Sequence, residues 1–305
     1  MRVLIAGGAG FIGSHLVESW QGKAEVRVLD NLRSGFAQNL KEFQSDFIHG
    51  SVLERETVRR AMQGVDCVFH LAAMISVPES MQKPTQCVET NTLGTLVVLE
   101  EAARAKVKKL VFSSSAAIYG RNPATPKSET MLPEPGSPYA ITKLGGEYYC
   151  KMFAEEGWLQ TTCLRYFNVF GPRQDPASHY AAAVPIFIER MLKHEPVTIF
   201  GDGGQTRDFV YVTDVSAANR FFALTPSLGG VFNVARGRQL TILELARTLR
   251  QLTNSRSEIN FAAGRAGDVK HSLASVEKTR AAGFSPQTSL LDGLRATVDY
   301  FASRI

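Results

Sequence analysis

Two short segments hold residue types whose spacing could do chemistry. One reads Phe112-Ser113-Ser114-Ser115-Ala116-Ala117-Ile118-Tyr119-Gly120, the other Ser137-Pro138-Tyr139-Ala140-Ile141-Thr142-Lys143. Ser137 is suited to cap a helix and Pro138 to occupy its first position. Tyr139 and Lys143 then stand one helical turn apart on the same face. A free tyrosine titrates near about pH 10. A neighbouring ammonium favours the phenolate and lowers that value, so the pair is expected to supply an acid or base poised closer to neutrality. A serine at a strand end, across from the tyrosine, could hold a substrate hydroxyl. A YxxxK pair alone is common on helix surfaces; its meaning depends on what accompanies it.

What accompanies it is a phosphate cradle. The first apolar run leads straight into Ala6-Gly7-Gly8-Ala9-Gly10-Phe11-Ile12-Gly13, in which Gly8, Gly10 and Gly13 satisfy GxGxxG and Gly7, Gly10 and Gly13 the looser GxxGxxG. Glycines let the chain turn tightly and let a pyrophosphate approach the backbone. The helix that follows offers free N–H groups, from Phe11 and Ile12 onward, and a positive dipole end. The motif is weak by itself, but here it follows a strand and opens a helix. Asp30 ends the second apolar run and could accept hydrogen bonds from a ribose 2′-hydroxyl while repelling a 2′-phosphate, which favours NAD over NADP. Arg33 nearby works against that preference, since an arginine can hold the 2′-phosphate.

The elements that must position these groups alternate. β-rich runs are expected at Arg2–Ala6, Glu25–Asp30, Asp46–Gly50, Cys67–Ala72, Lys109–Ser115 and Thr161–Phe167, with helices at Ile12–Gln21, Glu54–Met62, Pro84–Ala105 and Tyr139–Glu156. This rhythm predicts βαβ units and a parallel sheet covered on both faces. After about residue 168 it breaks into a Pro/Gly/Asp-rich loop (Gly171 to Ser178), a helix over Ala181–Lys193, a strand over Val197–Phe200, a glycine turn over Gly201–Gly204, and helices at Asp214–Leu224, Ile242–Leu252 and Leu290–Phe301. The tail holds too little for an independent sheet of normal size. The expected division is residues 1–168 as a Rossmann domain, with a later stretch near 205–225 returning to it, and 169–305 mainly as a smaller mixed lobe. Gly145 and Gly146 fall inside the helix with the Tyr/Lys pair, where each costs up to ~1 kcal/mol relative to alanine; close packing of another backbone or helix would account for them.

Composition narrows the function classes. The 305 residues are 44% hydrophobic and 21% charged, which is ordinary for a globular chain and excludes a fibre, a coiled coil or disorder. No apolar run approaches the roughly 18 residues of a membrane span, and Met1–Gly8 is too short and too weakly basic for a signal peptide, so a cytoplasmic location is the expectation. The net charge of +5 suits an acidic ligand. The densest basic run, Lys106–Lys109, is too small for a nucleic-acid face, and no such partner is expected. Cys67, Cys87, Cys150 and Cys163 show no CxxC or metal spacing and are expected to be reduced thiols; no metal site is expected.

Together these segments resemble an extended short-chain dehydrogenase/reductase, of the UDP-galactose 4-epimerase type of nucleotide-sugar epimerase. The likeness spans essentially the whole chain through GGAGFIGSHL, LDNLRSG, HLAA, NTLGT, SSSAAIYG, YAITK, LRYFNVFGPRQ, TRDFVYVTDV and RAGDVKHS. It implies Tyr139 as acid/base, Lys143 as holder of the nicotinamide ribose, and Ser115 on the reacting hydroxyl. On the cofactor side it implies Gly7, Gly10, Phe11, Ile12, Gly13, Asp30, Asn31, Ser34, Gly35, Leu71, Ala72, Ala73, Asn91, Ser113 and Tyr166. Asn168, Arg207, Arg265 and Asp268 would bind the UDP diphosphate and ribose; forked guanidiniums suit diphosphate oxygens. The family often has Thr where Ala6 stands and an acidic residue where Ser51 stands, near the adenine.

The reaction implied is a concealed redox cycle at sugar carbon 4 with NAD retained through turnover. Related 4,6-dehydratases carry Asp-Glu just after the position of Ser114, and uronate decarboxylases a Glu. Ala116 and Ala117 provide no carboxylate, which favours epimerisation alone. Ser272 stands where members restricted to plain hexoses resemble each other in having tyrosine. A small residue there leaves room for a 2-acetamido group, so activity on UDP-GlcNAc/UDP-GalNAc, and on UDP-Glc/UDP-Gal, is expected. Ser76 could add a polar contact to the sugar. A UDP-glucuronate epimerase, a dehydratase or reductase of the same family, or a non-catalytic NAD-binding sensor are the alternatives. The resemblance also implies a homodimer through a four-helix bundle formed by Pro84–Ala105 and Tyr139–Glu156.

Overall fold

The computed structural model describes residues 1–176, 182–264 and 270–304. The first half follows the expected alternation: β1 (Arg2–Ala6), α1 (Phe11–Ser19), β2 (Glu25–Asp30), β3 (Asp46–His49), α2 (Arg55–Ala61), β4 (Cys67–His70), α3 (Val77–Gln82), α4 (Pro84–Val88), α5 (Gly94–Arg104), β5 (Lys109–Ser115), α6 (Pro138–Glu155) and β6 (Thr161–Tyr166). Every residue of β4 and β6 is buried. Such continuous apolar strands belong in a parallel sheet with helices on both faces.

The second half is β7 (Asn168–Phe170), α7 (Ala183–Leu192), β8 (Val197–Phe200), β9 (Thr206–Tyr211), α8 (Val212–Leu224), β10 (Gly230–Val234), β11 (Gln239–Thr241), α9 (Ile242–Leu252), β12 (Ile259–Ala262), α10 (Glu277–Ala281) and α11 (Leu290–Ala302). The main sheet has the order β10-β6-β5-β4-β1-β2-β3, and all its pairings are parallel. One core packs α1 and α8 against one face, through Leu16, Val17, Val215 and Phe222. The other packs α2, α5 and α6 against the opposite face, through Val58, Val98, Leu99 and Phe153. The strand order reverses between β1 and β4, and the crevice outside the strand ends at such a point is where ligands bind in this architecture.

Two departures from the sequence expectation stand out. The stretch Pro84–Ala105 is not one regular helix: a π-helical turn, Glu89–Leu93, separates α4 from α5 and turns Asn91 inward. Such single turns commonly mark functional positions. The tail also builds more sheet than expected, a three-stranded β11-β9-β7 and a two-stranded β12-β8, while β10 joins the main sheet. A third core, with Phe170, Ile188, Tyr211, Leu245 and Leu294, fills this part. The four cysteines are free and buried. Among the described residues, no helix is long and apolar enough to cross a membrane.

Candidate active site

The cradle forms because β1 must turn sharply into α1. Gly7 has φ +87°, and a side chain there would meet the Ala72 nitrogen at 2.6 Å. The backbone thus runs directly against Leu71 and Ala72, whose N–H groups both donate to the Ala6 carbonyl at 2.8 Å. Gly10 caps α1 with no side-chain hydrogen bond, and no acidic residue stands in the first turn. The leading N–H groups of a helix have no intrahelical partner, and neither the cap residue nor the first turn supplies a side chain to satisfy them. A pyrophosphate fits that cradle.

Asp30 closes one side. Its Oδ2 accepts from Ala9 N at 2.9 Å and its Oδ1 from Leu32 N at 2.8 Å. Burial pushes its pKa up, with those two backbone bonds acting in the opposite direction. A carboxylate has about four lone-pair sites, so each oxygen keeps one for a ribose hydroxyl. Asn31 Oδ1 accepts from Arg33 N at 3.1 Å, and Gly35 lies against Ala9 beside Ser34. Arg33, which could have received a 2′-phosphate, forms an ion pair with Glu79 at 2.8 Å.

The Ser/Tyr/Lys group assembles as expected from spacing. Ser137 caps α6 by accepting from Ala140 N, and Pro138 occupies the first turn. Ser115 ends β5, and its Oγ accepts from Ala117 N at 3.1 Å, capping the short 3₁₀ turn Ala116–Tyr119. The Ser115 hydroxyl is also a hydrogen-bond partner of Tyr139. Lys143 Nζ donates to the Ser113 carbonyl at 2.7 Å. It lies 5.0 Å from the Phe112 ring centre and 5.9 Å from that of Tyr139.

The electrostatics correct the sequence expectation. Burial holds the Tyr139 phenol above the ordinary tyrosine range, with the Ser115 hydrogen bond opposing it. Burial also lowers Lys143 to about 8. At the phenol, burial outweighs the Ser115 hydrogen bond.

The remaining expected residues fall into two groups. Asn91 spends its amide within the chain: Oδ1 accepts from Met74 N at 2.7 Å, and Nδ2 donates to Met74 O at 3.0 Å and Thr142 Oγ1 at 3.1 Å. It ties the segment after β4, with Ala73 in it, to α6. Tyr166 donates to Asn219 Oδ1 at 2.9 Å and also meets the Ser113 side chain. Ser76 caps α3, accepting from Glu79 N at 3.1 Å, so its expected sugar contact is left to its O–H. Asn168 on β7 donates to the Asp208 carbonyl at 3.2 Å, and the neighbouring Arg207 on β9 donates to the Thr206 carbonyl at 2.9 Å. Ser272 N donates to that same carbonyl at 3.1 Å, so Asn168, Arg207 and Ser272 lie on adjoining segments. Arg265 and Asp268 lie outside the described residues.

Sequence reasoning missed three buried groups behind this site. Glu147 accepts from Ser114 Oγ and pairs with Arg165 through two bonds of 2.8 and 2.7 Å. It stands one turn beyond Lys143 on the same helix face, a spacing that could have revealed it. Asp208 accepts the N–H groups of Arg236, Gly237 and Ala274, and burial raises its pKa to about 6 against those bonds. Asn219 fixes Tyr166 from α8. Neither Asp208 nor Asn219 belongs to a spacing pattern.

A parallel sheet whose first turn is a glycine cradle, with a Tyr/Lys pair on the helix that packs against the end of β5, defines a Rossmann-type dinucleotide-dependent enzyme. The model of the NAD dependent epimerase/dehydratase family matches residues 3–235, and the chain belongs to that family. It is 38% identical, over 100% of its length and 99% of the other, to a UDP-glucose 4-epimerase of Mycolicibacterium smegmatis. Among solved structures it resembles the UDP-glucose 4-epimerase of Thermotoga maritima with UDP-glucose, with 42% identity, a TM-score of 0.95, and 100% and 99% of the two chains covered. It also resembles the UDP-N-acetylglucosamine 4-epimerase of Methanobrevibacter ruminantium in complex with UDP-N-acetylmuramic acid, with 38% identity, a TM-score of 0.96, and 100% and 99% covered. The cofactor is NAD, as the family requires and the cradle fits.

Proposed function

We propose that the protein is a UDP-sugar 4-epimerase that acts on the UDP-GlcNAc/UDP-GalNAc pair and on UDP-Glc/UDP-Gal. The observation that carries this reading is the meeting of Ser115, Tyr139 and Lys143 beside the glycine cradle, with Ala116 and Ala117 supplying no carboxylate for elimination. The Gly7–Gly13 turn would hold the pyrophosphate of NAD, Asp30 the adenosine ribose, and Lys143 and Tyr166 the nicotinamide end. When bound, NAD supplies reversible two-electron oxidation of the carbon that bears the reacting hydroxyl.

The chain's own residues manage the proton and the orientation. Tyr139 takes the proton of the 4-hydroxyl and later returns it. Because burial disfavours its phenolate, the phenol is a reluctant acid and its anion a strong base. Lys143 supports that anion when protonated. Ser115 holds the sugar hydroxyl with its O–H, its oxygen being fixed by Ala117 N. Asn168 and Arg207 hold the UDP portion, together with Arg265 and Asp268. Ser272, half-buried and adjoining the strand of Arg207, supports the N-acetylated pair, because a serine leaves volume that a larger side chain would fill.

A second copy of the chain is the proposed partner. Ile141, Tyr148 and Met152 are exposed along α6 at 56%, 60% and 40%, beside exposed Val88 and Leu93 at 48% and 51%. Packed helix faces of this kind form four-helix interfaces. The test of the activity is proton NMR of the purified protein with UDP-GlcNAc and, separately, UDP-glucose, without added NAD. Both galacto products are expected. Conversion of UDP-glucose alone would keep the mechanism and sink the Ser272 argument. Conversion of neither, even with NAD added, would overturn the reading in favour of another sugar or a sibling reaction.

A further inference from the structure

Residues 270–276 run as a strap between the two halves of the site. On one side, Thr206 N donates to the Lys270 carbonyl at 2.9 Å and Ser272 N to the Thr206 carbonyl at 3.1 Å, next to Arg207. On the other, Lys127 N donates to the Leu273 carbonyl at 2.7 Å and Ser275 N to the Lys127 carbonyl at 2.8 Å. Lys127 belongs to the loop that follows the 3₁₀ turn capped by Ser115. The strap thus touches the proposed nucleotide strand and the loop of the catalytic serine at once.

One side chain sits at the junction. Asn233 on β10 is fully buried. Its Nδ2 donates to the Lys127 carbonyl at 2.9 Å and to the Ser275 carbonyl at 3.0 Å, and its Oδ1 accepts the Tyr119 hydroxyl at 2.6 Å. Its main-chain N donates to Glu129 Oε1 at 2.7 Å, and its carbonyl accepts from Thr279 at 2.6 Å. Tyr119 is the last residue of the turn that Ser115 caps. Its ring lies 4.8 Å under the guanidinium of Arg165, the residue directly across from Asn233 in the sheet. Arg165 in turn holds Glu147, which accepts from Ser114. The chain of contacts therefore ends on the residue beside Ser115.

We infer that Asn233 is a positioning residue that fixes the turn of Ser115 relative to the nucleotide strap. Its activity readout rests on the epimerase reading above. Its amide hydrogens hold the Lys127 loop and the strap at Ser275, and its oxygen holds the turn at Tyr119, so none of the three can shift without breaking a buried bond. A misplacement of a reacting group by about 1 Å can cost on the order of 100-fold in rate. Aligning Ser115 thus depends on a residue that touches neither sugar nor cofactor.

Two variants of the NAD-loaded enzyme separate the arms. Tyr119→Phe removes the hydroxyl that bonds Asn233 and also meets the Arg165 side chain, and it preserves the ring and its packing. Asn233→Asp keeps an acceptor for Tyr119 but sets a carboxylate against the two carbonyls. For Tyr119→Phe, kcat is expected to fall about 10- to 100-fold, while UDP affinity by calorimetry stays within about two-fold, because the strap remains held. For Asn233→Asp, UDP affinity is expected to fall as well. Hydrogen exchange of the amides of residues 116–120, measured without nucleotide, should speed up in both variants. Wild-type kcat with wild-type exchange in Tyr119→Phe would overturn the inference. So would equal losses of kcat, UDP affinity and Tm in both variants, which is the mark of a merely structural residue. If the wild type neither bound UDP nor converted any UDP-sugar, the epimerase reading would fail, and the exchange rates would still decide the link.

Discussion

Lys143 Nζ is held 2.7 Å from the main-chain oxygen of Ser113 and is buried between the rings of Phe112 and Tyr139. The amine is therefore positioned by the strand end rather than by a carboxylate. Burial lowers its pKa to about 8. Below that pH the folded protein carries a buried charge that the unfolded chain would hold in water. Between about 8 and the ordinary lysine value near 10.4 the unfolded chain binds more protons, so stability gained from this group rises with pH across that window. Lys143→Met removes the penalty. Its Tm should exceed the wild type's by a few degrees at pH 7 and by little or nothing at pH 10, while epimerisation is lost. Paired thermal scans at the two pH values check this; a constant offset would show that the charge is not the cause.

Gly145 and Gly146 adjoin in sequence and face opposite environments. A side chain at Gly146 would press on the Phe112 ring, at 2.8 Å from its Cε1 and closer still to Cζ; one at Gly145 meets nothing within 4 Å. Phe112 is the ring beside Lys143, so the glycine lets α6 approach the strand that carries the site. Gly146→Ala is expected to cost about 1–3 kcal/mol by overpacking and to lower kcat. Gly145→Ala should stabilise the monomer by about 0.5–1 kcal/mol through helix propensity. Denaturant unfolding of both variants checks the pair. Should the wild type sediment as the proposed dimer, its loss in Gly145→Ala would place that face in the subunit contact.

These two glycines also show where sequence reading stops. Their helix and their cost were legible, but the ring that demands one of them comes from β5, distant in the chain. The six strands β1 to β6 begin at the expected residues and end within two of them, because apolar runs buried on both faces leave a continuous signal. β10 was not legible. Its five residues begin at Gly230, directly after Gly229, and its place at the sheet edge depends on pairing with β6. The three-residue strands β7 and β11 are too short to show a period at all. Within the candidate site, the Tyr139/Lys143 pair and the glycine cradle were legible because their spacing is local, whereas Ser115 was singled out from its serine run only by the family resemblance. Asp208 and Asn233 bind backbone groups of remote segments, and Asn219 binds the hydroxyl of distant Tyr166; nothing near them in sequence announces those partners. The π turn that buries Asn91 leaves a helical pattern nearly intact, so the run was read as one helix.

The Arg33–Glu79 ion pair bears on cofactor choice. Asp30 disfavours a 2′-phosphate, and Glu79 occupies the cation that would offset it. Both groups are about a third exposed, so the pair itself contributes little to stability. Glu79→Ala should leave Tm nearly unchanged and narrow the preference for NAD over NADP by about tenfold, on the order of 1.4 kcal/mol. Binding of each cofactor to stripped enzyme measures it. An unchanged ratio would mean that Asp30 alone sets the choice.

Glu147 and Arg165 form a bidentate pair with only 4% of either side chain exposed. Removing one partner of such a pair leaves an uncompensated buried charge and typically costs about 3–5 kcal/mol, whereas replacing both by apolar residues of similar volume is often neutral. Glu147→Gln should thus lower Tm by roughly 5–8 °C, and the double variant Glu147→Leu, Arg165→Met should recover most of that loss. Activity should not recover with it. In the double variant Ser114 has no acceptor and the Tyr119 ring has lost its guanidinium, so the strand end that presents Ser115 is packed but no longer oriented. A stable double variant with reduced kcat and an unchanged NAD content would assign the pair to alignment. Full activity in that variant would assign it to folding alone and would remove Arg165 from the chain of contacts that runs from Asn233 to Ser114.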